Sequence, residues 1–452
     1  MKTLKILAVL CVTAIMFFAL SACAFRGASA YEIAVRAGYT GTEQEWLSTL
    51  KGDRGNDGAD GKNFNLNYTA YDLYSEAKES GEFDGTFLEF VEQYLGDSYA
   101  LNDAQYAVNA SIFSACSVWC RFAVRNVFGQ STYSTSAGSG VIYSVDRTAG
   151  DALIITNYHV VYSSSATTSN KIADEIYVYL YGGERVSSGR ITCQFVGGSS
   201  QYDLALLKVT GSDVIKKSLA KSVNFADSDE IALGQSVVAI GNPEAEGISV
   251  TKGIISVESE DIAISDVQGD KNTIRVLRYD AAVNPGNSGG GLFDMYGNLI
   301  GIVNAKTADD SIDDMNYAIP SNTVKAVVAG LERYCLNKSN EKYYRTYIGV
   351  TTNVIDSTAF YNQEKQRVEI HETVIVESIV NGGLAYGKFA VGDRFVSVKI
   401  GDTVKTINRS YQIIDCILSL KAGDVVVFTV LRDGETKTIE ITVTQSSMTQ
   451  ID

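Results

Sequence analysis

Short apolar runs alternate with polar turns over the middle of the chain. Between about residues 117 and 328, runs rich in Val, Ile and Tyr are separated by turns of Gly, Ser, Asn and Asp. Runs bounded in this way predict short β-strands, and their close spacing indicates an all-β sandwich or barrel rather than alternating strands and helices. The clearest of these runs are residues 175–180, 190–195, 236–240 and 299–304. Residues 320–331 are predicted to form a closing helix.

A second β-rich unit is predicted near the C-terminus. Residues 331–346 are polar and charged, which is typical of a linker. Beyond them, apolar and polar positions alternate at residues 425–431 and 436–443, which predicts two strands. The last third of the chain is therefore expected to be a separate, mainly β domain.

The region before the first strands is predicted to be helical. A segment of capping-box form, residues 42–45, precedes Trp46, and a similar helix pattern recurs near residues 70–73 and 86–94. Between these copies, glycine occurs every third residue from 52 to 61. This period is typical of collagen, but four glycines without proline do not support a triple helix. A flexible spacer between two helical hairpins is favoured, and both a stalk and a docking module remain open as its role.

The first residues have the pattern of an export signal. Lys2 and Lys5 precede an apolar stretch at residues 6–20, and small residues follow it. Residues 20–23, Leu-Ser-Ala-Cys, resemble a bacterial lipobox, in which Cys23 becomes the lipidated first residue of the mature chain. The alternative is an uncleaved transmembrane anchor, for which fifteen residues are short compared with the roughly 20 that a span needs.

Charge and cysteine content narrow the class of protein. The chain has 38 basic and 53 acidic residues, a net charge of −15, so nonspecific binding to nucleic acid or to anionic lipid headgroups is not expected. The protein is therefore expected to contact the membrane through the lipid on Cys23 and not through a basic surface patch. Of the seven cysteines, Cys11 lies in the signal and Cys23 is the anchor. The other five have no metal-ligand spacing and are expected to be mostly buried free thiols, and no metal or cofactor is predicted.

Residues 284–290, Asn-Pro-Gly-Asn-Ser-Gly-Gly, hold the candidate nucleophile, Ser288. A serine hydroxyl is a poor nucleophile unless a base removes its proton and nearby donors stabilise the oxyanion. Flanking glycines allow the backbone N–H groups to converge on one point. An ordinary glycine-rich turn between strands is the alternative interpretation of the heptapeptide alone.

A histidine and an aspartate complete the pattern. His159 is one of two histidines in the chain and follows an apolar run, whereas Asp203 precedes a second apolar run. By itself, each residue is more often structural. The order His, Asp, Ser along the chain is that of chymotrypsin-like proteases and differs from subtilisins and α/β-hydrolases.

Six blocks of sequence, in order, resemble the HtrA/DegP family of trypsin-like serine proteases. They are residues 137–142, 156–161, 203–207, 238–243, 280–290 and 317–320. The resemblance implies two six-stranded antiparallel barrels with the active site in the cleft between them. It also implies that Ser288 is the nucleophile, His159 the general base and Asp203 its partner, with an oxyanion hole at Gly286, Asn287 and Ser288. Residues 303–305 are expected to line one side of the pocket for the substrate residue before the cleaved bond.

The C-terminal unit resembles a PDZ domain of the HtrA type. PDZ domains bind C-terminal peptides by strand addition, with the carboxylate held by backbone amides of a glycine-containing loop. The matching loop is Tyr347, Ile348, Gly349 and Val350. A β-rich domain with an ordinary glycine turn is the alternative. His371 lies in this unit and is expected to be a solvated surface residue.

These observations lead to one interpretation of the whole chain. The expected divisions are a signal peptide (1–22), an anchor with helical and glycine-rich spacer (23–105), a trypsin-like protease domain (106–332), a linker (333–346) and a PDZ domain (347–446). The expected function is that of an extracytoplasmic, membrane-tethered serine endopeptidase that cleaves misfolded or exported proteins. A chaperone-like scaffold with little proteolysis is the alternative. The resemblance further implies a homotrimer, and the short segment at residues 125–136 argues against larger cages.

Overall fold

The computed structural model describes residues 40–42, 74–75, 77–78, 80–84, 103–183, 186–265, 271–304, 315–336 and 343–451. The predicted signal peptide, Cys23 and the glycine-rich spacer lie outside these residues, as does most of the predicted helical repeat. Within the described ranges, no helix is long and apolar enough to cross a membrane.

The described elements that are named below follow one another along the chain. They are α1 (Asp103–Ser111), β1 (Ala115–Arg125), β2 (Ser131–Asp146), β3 (Asp151–Thr156), α2 (Tyr158–Val161), β4 (Glu175–Leu180), β5 (Ile191–Ser199), β6 (Leu204–Val209), α3 (Asp213–Lys217), β7 (Ser236–Gly241), β8 (Ser249–Ser265), β9 (Lys271–Tyr279), β10 (Gly291–Phe293), β11 (Leu299–Asn304), β12 (Asn316–Pro320), α4 (Ser321–Cys335), β13 (Tyr343–Thr346), β14 (Val350–Asn362), β15 (Arg367–Ile379), β16 (Arg394–Ile400), β17 (Thr403–Thr406), α5 (Tyr411–Ser419), β18 (Val425–Arg432), β19 (Glu435–Thr442) and β20 (Met448–Ile451).

Twelve of these strands close into two antiparallel barrels. The first has the strand order β1-β2-β3-β6-β5-β4 and the second β10-β11-β12-β9-β8-β7. Closure lets each strand bury one face in its barrel, and β11 buries all six of its residues. The predicted strands at 175–180 and 299–304 have the observed bounds of β4 and β11. The prediction of a mainly β chain with a trypsin-like double barrel is confirmed.

The segment expected to be a polar linker contains regular structure. Helix α4 continues to Cys335, beyond the predicted end at residue 331, and β13 begins at Tyr343. Both ends of this segment pack against the rest of the protein, because the side chains of Leu331, Cys335 and Tyr343 are buried. The many charged residues around these three buried side chains make the segment resemble a solvent-exposed linker when only its composition is considered.

A six-stranded sheet and helix α5 form the C-terminal unit. The strand order is β14-β15-β16-β18-β19, and β17 pairs with β16. The predicted strands at 425–431 and 436–443 correspond to β18 and β19 within one residue at each end. His371 lies on β15 and is exposed, as expected.

Buried charges connect the second barrel to the C-terminal unit. Arg275 on β9 contacts Asp415 on α5, with 2.7 Å between Nη1 and Oδ2, and Asp229 at 3.2 Å. The guanidinium lies 3.4 Å from the ring centroid of Tyr411. Further ion pairs on this boundary are Lys405–Asp229, Arg409–Glu258, Lys365–Glu230 and Arg367–Glu230. Residues 69–452 form one compact unit, consistent with this contact.

The five described cysteines are free thiols. Cys116, Cys120, Cys193 and Cys335 are buried, and Cys416 is partly buried. Burial raises the pKa of the Cys193 and Cys416 thiols to about 12 and also raises those of Cys116 and Cys120. The expectation of mostly buried free thiols is confirmed for these residues.

Candidate active site

Each of the three predicted triad residues lies next to a strand of one of the two barrels. His159 lies in the short helix α2 after β3, Asp203 directly precedes β6, and Ser288 lies in the turn before β10. A Cβ placed on Gly138 would lie 2.8 Å from Val160, the neighbour of His159, and 3.1 Å from the Ser288 carbonyl oxygen. Ser288 is therefore brought next to the helix that carries His159.

The carboxylate of Asp203 holds the imidazole of His159. The two side chains meet with 2.6 Å between His159 Nδ1 and Asp203 Oδ2, and the other carboxylate oxygen accepts a 2.9 Å hydrogen bond from the His159 backbone N–H. Carboxylate oxygens accept hydrogen bonds, so this contact suits a histidine with its proton on Nδ1 and leaves Nε2 free of Asp203. The side chain of Asp203 is 5% exposed and that of His159 28%, which leaves the imidazole accessible from solvent.

The backbone of Asp203 is held as firmly as its side chain. Its φ is +50°, a left-handed conformation that costs energy in a non-glycine residue. The Asp203 carbonyl accepts hydrogen bonds from the Asn157 side chain at 2.8 Å and from the Tyr158 N–H at 3.2 Å. These bonds stabilise a strained turn that aims the carboxylate at His159.

The turn that carries the candidate nucleophile Ser288 (the nucleophile turn, residues 284–290) depends on glycine at two positions. Gly286 has a φ of +102° and Gly289 a φ of +85°. A Cβ at Gly286 would lie 2.2 Å from the Asn242 carbonyl oxygen, and a Cβ at Gly289 would lie 2.2 Å from the Ser139 carbonyl oxygen. No other residue type fits at either position without moving the backbone.

The peptide unit before Gly286 has a defined orientation. The Pro285 carbonyl accepts a 2.7 Å hydrogen bond from Glu244 N–H. Because the C=O and N–H of a trans peptide point in opposite directions, the Gly286 N–H points away from Glu244. Among the described residues, no hydrogen-bond acceptor contacts the Gly286 N–H. This N–H is therefore available to a ligand.

Two residues that support the nucleophile turn were not singled out by the sequence. The Ser139 hydroxyl donates to the Gly286 carbonyl at 2.7 Å and accepts from the Asn242 N–H at 2.7 Å, so it joins β2 of the first barrel to two loops of the second. The Asn242 side chain accepts from Gly247 N–H at 2.8 Å. Both residues are polar positions within otherwise apolar or glycine-rich blocks, which is the signal that could have identified them.

Strand β11 lies beside the nucleophile turn. The Gly289 N–H donates to the Val303 carbonyl at 3.0 Å, and the Val303 N–H donates to the Gly290 carbonyl at 2.8 Å. Asn304 follows, but its side chain is 1% exposed overall and donates to Asp203 Oδ2 at 3.1 Å. Ala305 lies outside the described residues.

The glycine-containing loop at residues 347–350 lines a separate cavity of about 340 Å³. Gly349 has a φ of +82°, and the Ile348 and Gly349 carbonyls accept hydrogen bonds from Ala385 and Val380 N–H groups. The cavity is also lined by α5 and by parts of β8 and β9. The loop is thus held rigidly at the boundary between the C-terminal unit and the second barrel.

Comparisons with known proteins agree with this architecture. The family model described as a trypsin-like peptidase domain matches residues 138–302. The chain is 30% identical over 323 residues to the serine protease Do-like HtrA of Lactococcus lactis subsp. lactis, covering 69% of this chain and 72% of that protein. It is 31% identical over 333 residues to the protein of the same description from Bacillus subtilis, covering 71% and 67%. Among solved structures, the HtrA-type protease AlgW with decapeptide is similar at 24% identity over 75% of this chain and 98% of that one, with a TM-score of 0.46.

The double barrel and these relatives define a trypsin-like serine endopeptidase. More specifically, the chain belongs to the Do-like HtrA family of serine proteases.

Proposed function

We propose that Ser288, His159 and Asp203 cleave peptide bonds through an acyl-enzyme. The observation that carries this proposal is the 2.6 Å contact between His159 Nδ1 and the nearly buried Asp203 carboxylate. Nε2 then takes the proton of the Ser288 hydroxyl as Oγ attacks the scissile carbonyl, and returns it to the leaving amine. Water then attacks the acyl carbon as it loses a proton to the same nitrogen, the bond to Ser288 Oγ breaks, and Oγ takes the proton back from Nε2 as the acid product leaves. Asp203 keeps the tautomer and stabilises the imidazolium.

Gly286 and Ser288 are proposed to supply the oxyanion hole, with Asn287 shaping the turn between them. The orientation of the Gly286 N–H supports this role, because its peptide carbonyl is already engaged by Glu244. Fixed donors of this kind stabilise the charge that develops on the carbonyl oxygen, and each is typically worth about 10²–10³ in rate.

Unfolded or exported polypeptides are the proposed substrates, and the C-terminal unit is proposed to be a PDZ domain that binds exposed C-termini. The rigid loop at residues 347–350 lies beside the edge strand β14 and next to α5, an arrangement that suits strand addition by a peptide. The alternative for this loop, an ordinary glycine turn, predicts no binding. Titration with a fluorescent peptide ending in a free carboxylate, against its C-terminal amide, separates the two.

The enzyme is proposed to act outside the cytoplasm, as a homotrimer tethered through a lipid on Cys23. The tether rests on the sequence at residues 20–23. Membrane association that survives Cys23→Ser would contradict the proposed lipid tether. Light scattering of a soluble form that begins after Cys23 measures the oligomeric state, and a mass other than that of a trimer would contradict the proposed homotrimer.

Labelling with a fluorophosphonate tests the catalytic proposal. The purified protein should be labelled in the presence of an unfolded client, and Ser288→Ala should remove the label because the hydroxyl is the reacting group. Asp203→Asn should lower kcat by about 10⁴, because the wrong imidazole tautomer is then favoured.

Two results would contradict the proposal. Labelling that persists in Ser288→Ala would place the nucleophile elsewhere, and a loss below about tenfold in Asp203→Asn would remove Asp203 from the triad. An unlabelled wild-type protein that still binds the client would favour the scaffold function instead. His371→Ala is the matched control, since this histidine is exposed on β15 and should not affect turnover.

A further inference from the structure

Strand β14 is an edge strand that continues far beyond the loop proposed to bind a peptide carboxylate. It begins at Val350, the last residue of that loop, and runs for 13 residues to Asn362. Its inner neighbour is β15, and none of the strands that the structure describes pairs with its outer edge. At about 3.4 Å per residue, four peptide residues cover about 14 Å of a strand that is about 44 Å long. Most of this edge therefore lies outside the proposed site for the C-terminus.

The far half of β14 belongs to a two-stranded ribbon. Residues 356–362 pair with residues 367–373 in an unbroken register, after a shift between Val354 and Asp356. Strand β16 pairs with β15 at Ile375, which lies outside the ribbon. A two-stranded ribbon is only marginally stable, and a third strand stabilises it.

The composition of β14 lacks the groups that usually prevent strand addition at an edge. Natural edge strands are protected by lysine and other charged residues, by proline or by short length. In β14 the one charged residue is Asp356, there is no proline, and most residues are Val, Ile, Thr, Phe or Tyr. The charges lie on the inner strand β15 instead, at Arg367, Glu369, Glu372 and Glu377. This edge therefore favours pairing with an additional strand.

Apolar side chains are exposed along the same edge. Phe360 and Tyr361 are 45% and 49% exposed, and as consecutive strand residues they point to opposite faces of the ribbon. Ile355, at the shift of register, is 58% exposed. A strand that paired with β14 would place its side chains beside these residues, so uncharged and β-branched side chains would fit there best.

Both ends of β14 are anchored before any ligand arrives. At the far end, Lys365 and Arg367 contact Oε2 of Glu230, in the loop before β7, at 2.7 and 2.8 Å. At the near end, the Gly349 carbonyl accepts a 2.8 Å hydrogen bond from the Val380 N–H. An edge that is already ordered lowers the entropic cost of binding.

We propose that the outer edge of β14 binds an extended segment of the substrate, immediately upstream of the C-terminus held at residues 347–350. The inference rests on the proposed function of that loop. The segment adds as a strand, its backbone pairs with residues 351–362, and its uncharged side chains pack beside Ile355, Phe360 and Tyr361. The edge thus selects unfolded chains with a long, uncharged tail, because a short tail on a folded protein fills the terminal site alone.

The first test compares two fluorescent peptides by anisotropy on the Ser288→Ala protein, which should not cleave them. One peptide has twelve residues of alternating Thr and Val and a free carboxylate, and the other consists of its last four residues. We expect the longer peptide to bind about tenfold to a hundredfold more tightly, because each added cross-strand pair contributes a small favourable free energy.

N-methylation of alternate amides in the upstream eight residues distinguishes strand addition from other contacts. In an antiparallel pair, alternate N–H groups point toward the neighbouring strand and the others point away from it. Methylation in one phase should abolish the higher affinity of the longer peptide, and methylation in the other phase should preserve it. An identical effect of both phases would contradict strand addition.

Tyr361→Lys and Val368→Lys are matched variants of the protein. The two residues face each other across the ribbon and are 49% and 50% exposed, but Tyr361 is on the edge strand and Val368 on the inner strand. Because lysine hinders pairing at an edge, Tyr361→Lys should remove most of the higher affinity of the longer peptide. The affinity of the shorter peptide should not change, and Val368→Lys should alter neither. Phe360→Lys repeats the measurement if Tyr361→Lys does not fold.

The possible failures can be told apart. Binding of the shorter peptide with no higher affinity for the longer one would overturn this inference and leave the proposed terminal site intact. Failure of both peptides to bind would contradict the proposed function of the loop, and this inference with it. A difference between the peptides that survives in folded Tyr361→Lys and Phe360→Lys would place the upstream segment elsewhere. If peptide length has no effect and Tyr361→Lys lowers the mass measured by light scattering, the edge pairs with a second copy of this chain and the inference is wrong.

Discussion

Gly286 shows how strongly a single backbone conformation constrains the active site. Its φ of +102° and its 2.2 Å approach to the Asn242 carbonyl leave no space for a side chain. The hydroxyl of Ser139 holds the Gly286 carbonyl from the first barrel. The turn that presents Ser288 is therefore kept in place by contacts from both barrels.

Replacement of Gly286 by Ala should reduce turnover by about 10²–10³, the effect of losing one oxyanion donor, because the turn must move to relieve the clash. Gly234→Ala is the matched control, since Gly234 has a φ of +76° but no atom within 4 Å of the point where a Cβ would lie. Both variants should be compared by kcat and by thermal unfolding. Equal activity in the two variants would show that the turn does not need its present shape.

The candidate triad could be proposed from chain order, whereas the residues that contact it could not. His159, Asp203 and Ser288 stand in the order typical of chymotrypsin-like proteases, and His371 is the one other histidine in the sequence. The contacts of Asn304 and Ser139 span 101 and 147 residues of sequence. Such distances are set by the way the barrels close and face each other, which no local pattern encodes.

Among the elements, the barrel strands were predicted more accurately than the hairpin of β14 and β15. The barrel strands have a buried face, so apolar positions mark them clearly. Most residues of β14 are exposed on both faces, so no alternation marks its 13 residues. Helix α4 was predicted too short because charged residues conceal its buried final turn.

Strands β16 and β18 are joined by a buried carboxylate. Asp393 precedes β16 and contacts Arg432 of β18 at 2.6 and 2.7 Å, and it also accepts a hydrogen bond from the Ala390 N–H. Burial opposes ionisation of Asp393, but the bonds from Arg432 and Ala390 outweigh it, so its pKa is lowered. This part of the sheet is therefore stabilised by the charged form.

Asp393→Asn should lower the free energy of unfolding by about 2 kcal/mol at neutral pH, since the bonds to a charged group are weakened. Because the pKa of Asp393 is lower in the folded than in the unfolded protein, its carboxylate stabilises the fold above the unfolded-state pKa of about 3.9. This stabilisation is lost as the pH falls through the folded-state pKa. The difference in the free energy of unfolding between the variant and the wild type should therefore shrink below about pH 4. Urea unfolding at several pH values measures it.

The control for this experiment is Glu435→Gln, which removes an exposed pair with Lys437 and should have little effect at any pH. A difference between Asp393→Asn and wild type that stays constant from neutral to acidic pH would mean that the ionised carboxylate is not the stabilising species.

At the scale of the whole molecule, Arg275 joins the second barrel to α5. Its side chain is 7% exposed, and it contacts Asp415 and Asp229, which are 11% and 4% exposed. Burial raises the pKa of Asp415, an effect that Arg275 offsets and Asp229 increases. A buried cluster of this kind fixes orientation more than it contributes net stability.

Arg275→Met should cost about 3–5 kcal/mol, because it removes the buried cation that both carboxylates contact and leaves Asp229 with Lys405 and Asp415 with a hydrogen bond from Thr323. Asp415→Asn should change the free energy of unfolding little at pH 7. Because the pKa of Asp415 is raised in the folded protein, ionisation of this carboxyl lowers stability as the pH rises through the folded value. An asparagine does not ionise, so the variant avoids this loss of stability. Urea unfolding of both variants compares them. Equal destabilisation by the two changes would contradict this account.

The buried thiols give the protein a practical property as a host for spectroscopic probes. Thiol reagents attack the thiolate, and burial raises the pKa of the Cys116, Cys120, Cys193 and Cys416 thiols, which keeps them in the unreactive protonated form at neutral pH. Cys335 is buried as well. In a soluble form that begins after Cys23, a cysteine introduced at Val127, which is 95% exposed at the tip between β1 and β2, would be the preferred site for a maleimide dye. Motion of this tip could then be followed by fluorescence without first replacing the native cysteines, three of which (Cys116, Cys120 and Cys193) lie on strands of the first barrel and would leave gaps in its core.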